Sequence, residues 1–222
     1  MRRLKKKIKI AIDSPAAAGA GTLAKSISKH FNLLYLDTGK IYRFLAYLKL
    51  KYGPKFNISI IKKEIRSLKL KKLNNKTLSN DNIGVLASEL AKNLSIRKIV
   101  HNFQIKCAYK FPKKYNGSCL DGRDVTYKII PDADFKFFIT ANLKTRSIRR
   151  YKELSKSDKQ ISYSYVLKSI KKRDYNDYNR RISPLKKTHD SILINTTNLS
   201  KSACFLKIKK IIERKLKING NL

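Results

Sequence analysis

Apolar positions recur along the chain at two spacings. Short apolar runs bounded by turn-forming residues predict strands at 8–13, 33–37, 118–121, 135–139 and 191–195. Between them, apolar residues three and four apart predict helices at 22–31 (Leu23, Ile27, Phe31), 41–50, 57–68 (Ile58, Ile61, Ile65, Leu68), 82–93, 96–111, 142–154, 162–176 and 201–216. Strands alternating with helices predict an α/β fold: a three-layer sandwich around a five-stranded parallel sheet. Gly53-Pro54 punctuates the chain, and 54–85 reads as an insertion carrying few core residues. Within it, 69–78 reads as a hairpin of two short strands around Asn74-Asn75. The polar stretch 156–160 reads as part of a lid spanning 151–162, and 219–222 as a frayed tail. No internal repeat divides the chain, so residues 1–222 read as a single domain.

Composition narrows the classes. With 42% apolar residues there is material for a core, which excludes disorder by low hydrophobicity. No stretch approaches the roughly 18 consecutive apolar residues of a membrane span. The basic N-terminus leads into one strand-like run and not into a signal-peptide apolar region. Cys107, Cys119 and Cys204 are too scattered for a disulfide framework or a zinc site, and read as reduced thiols of a cytoplasmic protein. Against 15 Asp+Glu stand 52 Lys+Arg, a formal net charge of +37 that attracts polyanions or phosphorylated small molecules. The lysines are dispersed, and Ile, Asn and Tyr are also abundant, as compositional drift would produce. Most lysines therefore read as a solvated coat, with no specific nucleic-acid partner. The arginines are a separate matter, because guanidinium contacts phosphate bidentately.

Four clusters carry chemistry. Ser14-Pro15-Ala16-Ala17-Ala18-Gly19-Ala20-Gly21-Thr22 lies between a strand and a helix, the context of a phosphate-cradling loop. The match to G-x-x-x-x-G-K-[ST] is partial. Ser14 replaces the first Gly, Ala20 replaces the Lys, and the same residues fit a small-residue turn with close helix–sheet packing. Next, Asp37-Thr38-Gly39-Lys40…Arg43 opens a helix at a strand end, where open parallel sheets bind ligands; capping by Asp37 or Thr38 is the plainer alternative. Third, Asp121-Gly122-Arg123-Asp124 sets a phosphate donor beside an acceptor, or forms a surface ion pair. Last come Arg146, Arg149 and Arg150 on one helix, followed by Arg173, Asp174, Asp177, Arg180 and Arg181. Such cations stabilise charge on a transferring phosphoryl group, and also suit a solvated basic helix or an RNA-binding face. No aromatic platform for single-stranded nucleic acid is evident, and His30, His101 and His189 receive no ligand role.

Together, and in this order, these clusters resemble the bacterial cytidylate kinases over nearly the whole chain. The telling strings are Ile10-Ala-Ile-Asp13 into Gly21-Thr-Leu, Leu36-Asp-Thr-Gly39…Tyr42-Arg43, and Ala87-Ser88-Glu-Leu-Ala91 with Arg97. Asp121-Gly-Arg-Asp-Val125 with Pro131-Asp-Ala133 and Arg173-Asp174…Asp177…Asn179-Arg180…Ser183-Pro-Leu185 complete them. The resemblance implies a nucleoside-monophosphate-kinase fold with a CMP-binding insertion and a lid. It implies transfer of the γ-phosphoryl of ATP to CMP or dCMP with Mg²⁺, commonly by a monomer. Residues 14–22 would bind ATP. Ser88, Arg97 and Asp124 would read the cytosine edge. Thr38, Arg43, Arg123 and Arg180 would hold the CMP phosphate, and Arg173 and Asp177 the ribose. Arg146 and Arg150, with Arg149 as an alternative, would reach the ATP phosphates. Ala20, Ser14, Ala17 and Thr126 depart from the family pattern, and the insertion is short. Loss of the loop lysine leaves two expectations: an active enzyme whose cation comes from Lys40 (less directly from Lys25), or an impaired relative that binds CMP or nucleic acid without turnover.

Overall fold

The structure, a computed structural model, describes residues 5–156, 158–218 and 220. Strands β1 (Ile8–Asp13), β2 (Leu34–Asp37), β3 (Gly117–Gly122), β4 (Phe135–Thr140) and β5 (Ile192–Asn195) form one parallel sheet in the order β2-β3-β1-β4-β5. Its helices are α1 (Ala20–Phe31), α2 (Thr38–Tyr52), α3 (Ile58–Arg66), α4 (Asp81–Leu90), α5 (Leu94–Tyr109), α6 (Leu143–Leu154), α7 (Tyr163–Asn179) and α8 (Lys201–Ile218). The three-layer expectation holds, because alternate strand residues feed two cores. Ile10, Ile12 and Phe137 pack with Leu23 and Ile27 of α1 and Ile208 and Ile212 of α8. Ala11, Leu34, Leu36 and Leu120 pack on the other face with Ile41 and Leu45 of α2 and Ile96 and Val100 of α5. The thiols of Cys107, Cys119 and Cys204 are free and buried.

Most helix starts follow side-chain caps written in the sequence. Asp37, Asn57, Asn93, Asn142 and Ser162 each accept a hydrogen bond from a backbone N–H of the first turn. The cap at Asp37 starts α2 three residues before the apolar pattern does. The expected tail at 219–222 lies outside the described residues except for Gly220.

The hairpin expected at 69–78 is not there. Two short 3₁₀ turns, Leu70–Asn74 and Lys76–Ser79, occupy the stretch, and the Asn75 side chain accepts from Thr77 N to start the second. An isolated pair of short strands leaves most of its backbone groups unpaired, whereas these turns drive Leu73 and Leu78 into the core. The segment is also richer in core than its sequence suggested. Ile61, Ile65, Leu68, Leu73 and Leu78 are all buried against α2 and its neighbours.

Candidate active site

Strand register lines up the chemistry at the carboxyl edge of the sheet. Asp37 of β2 is level with Asp121 of β3, and Gly122 of β3 is level with Asp13 of β1. A carboxylate row at this edge is costly in an apolar fold unless cations or N–H groups meet it. Asp13 is met internally. Fully buried, it accepts from Val125 N and Thr126 N at 2.9 Å each and from Thr126 Oγ1 at 2.6 Å. Burial outweighs these bonds and pushes its pKa up to about 6. The residues that serve Asp13 belong to a single wide turn, Val125–Ile129, closed by a bond from Ile130 N to Val125 O. Thr126 therefore has a structural purpose that a glycine cannot supply.

Asp121 is not met. Its Oδ1 and the Tyr35 hydroxyl are buried without hydrogen-bond partners among the described residues. Both groups face Gly21, where a β-carbon would lie 3.5 Å from Asp121 Oδ2 and 3.6 Å from Tyr35 Oη. Burial and the neighbouring Asp37 raise the Asp121 pKa well above the ordinary carboxylate value. An orphaned carboxylate beside the small-residue loop fits a cation. Among the described residues no group of three or more His, Cys, Asp or Glu side chains is placed to hold a metal alone. A divalent ion at Asp121 would thus take most of its ligands from phosphate and water, as Mg²⁺ does. Beside it, Thr38 Oγ1 donates to Asp121 O at 2.8 Å. Gly122 makes room for that hydroxyl, since a β-carbon there would lie 2.2 Å from Thr38 Oγ1.

The loop after β1 is tightly wound around two left-handed residues. Gly19 caps α1 in the left-handed region (φ 92°), and Ala17 adopts the same region (φ 58°) although it carries a β-carbon. No hydrogen bond from the N–H groups of Ala17, Ala18 or Gly19 occurs among the described residues. Ala20, in the place of the motif's lysine, is buried in the core with Leu23 and Ala24.

Five of the expected arginines, Arg43, Arg123, Arg150, Arg173 and Arg180, gather around Asp177 and one another. Arg123 Nε donates to Asp177 Oδ2 at 2.7 Å, and Arg180 Nη1 lies 3.5 Å from Asp177 Oδ1. Burial alone would raise the Asp177 pKa, but Arg123 and Arg173 hold it below the ordinary carboxylate value. Arg173 is half-buried overall, yet its Nε has no partner among the described residues. Burial, then the proximity of Arg123 and Arg43, lower its pKa to about 10, with Asp177 opposing and Arg150 adding to the depression. Arg43 Nη1 donates to the carbonyls of Leu78 and Asn80, and Arg150 Nη2 to the carbonyl of Ser79 at 3.3 Å. An arginine depressed by burial and by its neighbouring arginines, as Arg173 is, marks a place prepared for an anion.

A second ion pair lies to one side. Arg97 Nη2 meets Asp124 Oδ2 at 2.5 Å, both side chains about nine-tenths buried, with the guanidinium 5.8 Å from the centre of the Tyr42 ring. Ser88 Oγ donates to Gly84 O within α4. Lys40 is half-buried, and its Nζ has no hydrogen bond or ion pair among the described residues; Lys25 is exposed with Nζ 6.0 Å from the Tyr35 ring centre. Arg149 is turned away from the cluster: Nη1 donates to Thr196 Oγ1 and Nη2 to Thr196 O. Arg146 is buried, its Nη1 on Ala16 O at 2.9 Å and on Asp174 at 2.5 Å. The sequence placed Asp121 and Asp174 in clusters without assigning either a ligand, and gave Asp13 and Tyr35 no role. Only the strand-end positions of Asp13 and Asp121 hinted at one.

The cytidylate kinase family profile matches residues 10–214. The chain belongs to the cytidylate kinase family. A cytidylate kinase of Bartonella tribocorum is 42% identical over 200 residues, covering 88% of this chain and 90% of the relative. Cytidylate kinases of Clostridium tetani (37% identical; 93% and 94% covered) and Mesomycoplasma hyopneumoniae (36%; 95% and 96%) are similar over comparable lengths. A crystal structure from Thermus thermophilus shares the fold at a TM-score of 0.52 and 14% identity, covering 96% of this chain and 99% of that one. For the family member described here, the match places the clusters at the sheet's carboxyl edge inside the matched region.

Proposed function

We propose that the chain transfers the γ-phosphoryl group of ATP to CMP or dCMP, giving ADP and CDP or dCDP. The observation that carries this reading is the arginine cluster around Arg173, which Arg180 links to the buried Arg97–Asp124 pair, together with the left-handed small-residue loop at 14–22. Family membership supports it.

In this reading Ser88, Arg97 and Asp124 meet the cytosine edge. An ionised Asp124 accepts from the exocyclic amine that UMP lacks, while Arg97 donates to the carbonyl side. Thr38, Arg43, Arg123 and Arg180 hold the CMP phosphate, and Arg173 and Asp177 the ribose. Arg150, whose helix borders the insertion, stabilises charge on the transferring group. Mg²⁺ bound with ATP neutralises phosphate charge, and Asp121 is the group that would hold it. Lys40 stands in for the absent loop lysine, its ammonium being without a partner among the described residues. So many converging cations repel one another unless phosphate binds, which favours turnover over an impaired relative. By resemblance to the family we expect a cytoplasmic monomer; separately, among the described residues no helix is long and apolar enough to cross a membrane. The test is ADP release with CMP as acceptor, which must require CMP and Mg²⁺.

A further inference from the structure

An anion cradle needs its N–H groups turned inward, so its carbonyls must turn outward and find donors there. In this loop the carbonyl donors are Arg146 of α6 and Thr196, which follows β5, while Asp174 of α7 accepts from a loop N–H. Arg146 Nη1 donates to Ala16 O at 2.9 Å, and Ala16 N donates to Asp174 Oδ1 at 3.1 Å. The same two side chains are ion-paired at 2.5 Å, so one charged pair grips both faces of one loop residue. Arg146 Nε is fixed in turn by Ala141 O at 2.9 Å.

Two residues on, the pattern repeats through an intermediary. Thr196 Oγ1 donates to Ala18 O at 3.1 Å and itself accepts from Arg149 Nη1 at 2.9 Å. Thr196 is 2% exposed. The carbonyls of Ala16 and Ala18 are therefore both held from α6, on either side of Ala17 with its positive φ. A small apolar cluster reinforces the grip: Ala16 and Ala17 pack with Val166 and Ile170 of α7 and Leu143, Tyr151 and Leu154 of α6, and Ile161 joins from the segment between.

We propose that Arg146, Asp174, Thr196 and Arg149 are positioning residues that impose the phosphate-binding shape of the loop at 14–22 from outside, and that Arg146 acts through Ala16 and not on phosphate. This rests on the reading of that loop as the ATP site. It gives the arginines of α6 separate tasks, with Arg150, whose charge acts on Arg173, left to the arginine cluster. It also ties the two lid-flanking helices to the ATP cradle, in a loop that lacks the motif's lysine.

The experiment is calorimetric titration of ATP, and separately of CMP, into wild type, Asp174→Asn, Thr196→Val, Arg146→Gln and the Arg146→Gln/Asp174→Asn double variant. Displacing a cradle by a fraction of an ångström is expected to weaken ATP binding about ten-fold or more. That loss should appear in Asp174→Asn and in Thr196→Val, which removes one hydroxyl, with CMP affinity unchanged within about two-fold. The double variant should be no worse than the weaker-binding single variant, because the pair acts as a unit. Asp174→Glu, which keeps the charge, should recover part of the loss and serves if Asp174→Asn does not fold. The proposal is overturned if only Arg146→Gln weakens ATP, as direct phosphate contact demands, or if ATP and CMP affinities fall together. If wild type binds ATP but does not phosphorylate CMP, the kinase reading fails, while the same titrations still decide the positioning role.

Discussion

Arg123 Nε donates to Asp177 Oδ2 at 2.7 Å across 54 residues of sequence. The pair joins the end of β3 to α7 and sits at the centre of the arginine cluster. Burial would lower the Arg123 pKa, but Asp177, with Asp121 and Asp174 behind it, raises it above the ordinary arginine value. Among the described residues Asp177 is the single carboxylate ion-paired to both Arg123 and Arg180. Removing it leaves converging cations without their counter-ion. Asp177→Ala is expected to destabilise the fold by about 3 kcal/mol, the lower end for a broken buried pair, since Arg123 keeps some solvent contact. Urea unfolding at neutral pH measures this, and a loss below about 1 kcal/mol would show the pair to be solvated.

Asp13 sets a pH dependence. Its folded pKa, about 6, lies above the unfolded value of 3.8, so the native state holds a proton that the unfolded state releases. Stability from this group is present at low pH and is lost as pH rises toward and through 6. The shift corresponds to about 3 kcal/mol. Unfolding free energies of wild type and Asp13→Asn, compared from pH 4 to 7, should converge or cross by about that amount. Parallel curves would rule out a titrating Asp13.

Lys40 and Ala20 form a paired prediction. If Lys40 supplies the missing cation, Lys40→Ala lowers turnover on the order of 10²-fold. Ala20→Lys in that background should restore part of it. A loss of less than a few-fold on Lys40→Ala would leave the loop without a displaced lysine.

Asp124 governs the base. Asp124→Asn is expected to lower kcat/KM for CMP by about 10²-fold and to lower that for UMP far less, because a buried acceptor for the amine is replaced by a partial donor. Equal losses for both acceptors would mean that Asp124 only anchors Arg97.

The sheet was legible because each strand is a short apolar run with turn residues at both ends, and the helix starts because Asn, Asp and Ser caps precede the apolar periodicity. The stretch at 69–78 misled because Asn74-Asn75 reads as a hairpin turn, whereas Asn75 instead caps a 3₁₀ turn and the leucines enter a core shared with α2 and α3. The site residues were legible where a string carried them, as with Asp121-Gly-Arg-Asp124. The role of Arg146 was not, because its partners Ala16 and Asp174 lie 130 and 28 residues away. A left-handed alanine at 17 was equally hidden, since nothing in a run of alanines marks positive φ.

The most direct measurement is coupled ADP release with CMP, dCMP, UMP and AMP side by side. The account predicts turnover with CMP or dCMP, and rates lower by about 10²-fold or more with UMP and AMP. ADP release with none of the four, or AMP as the best acceptor, would contradict it.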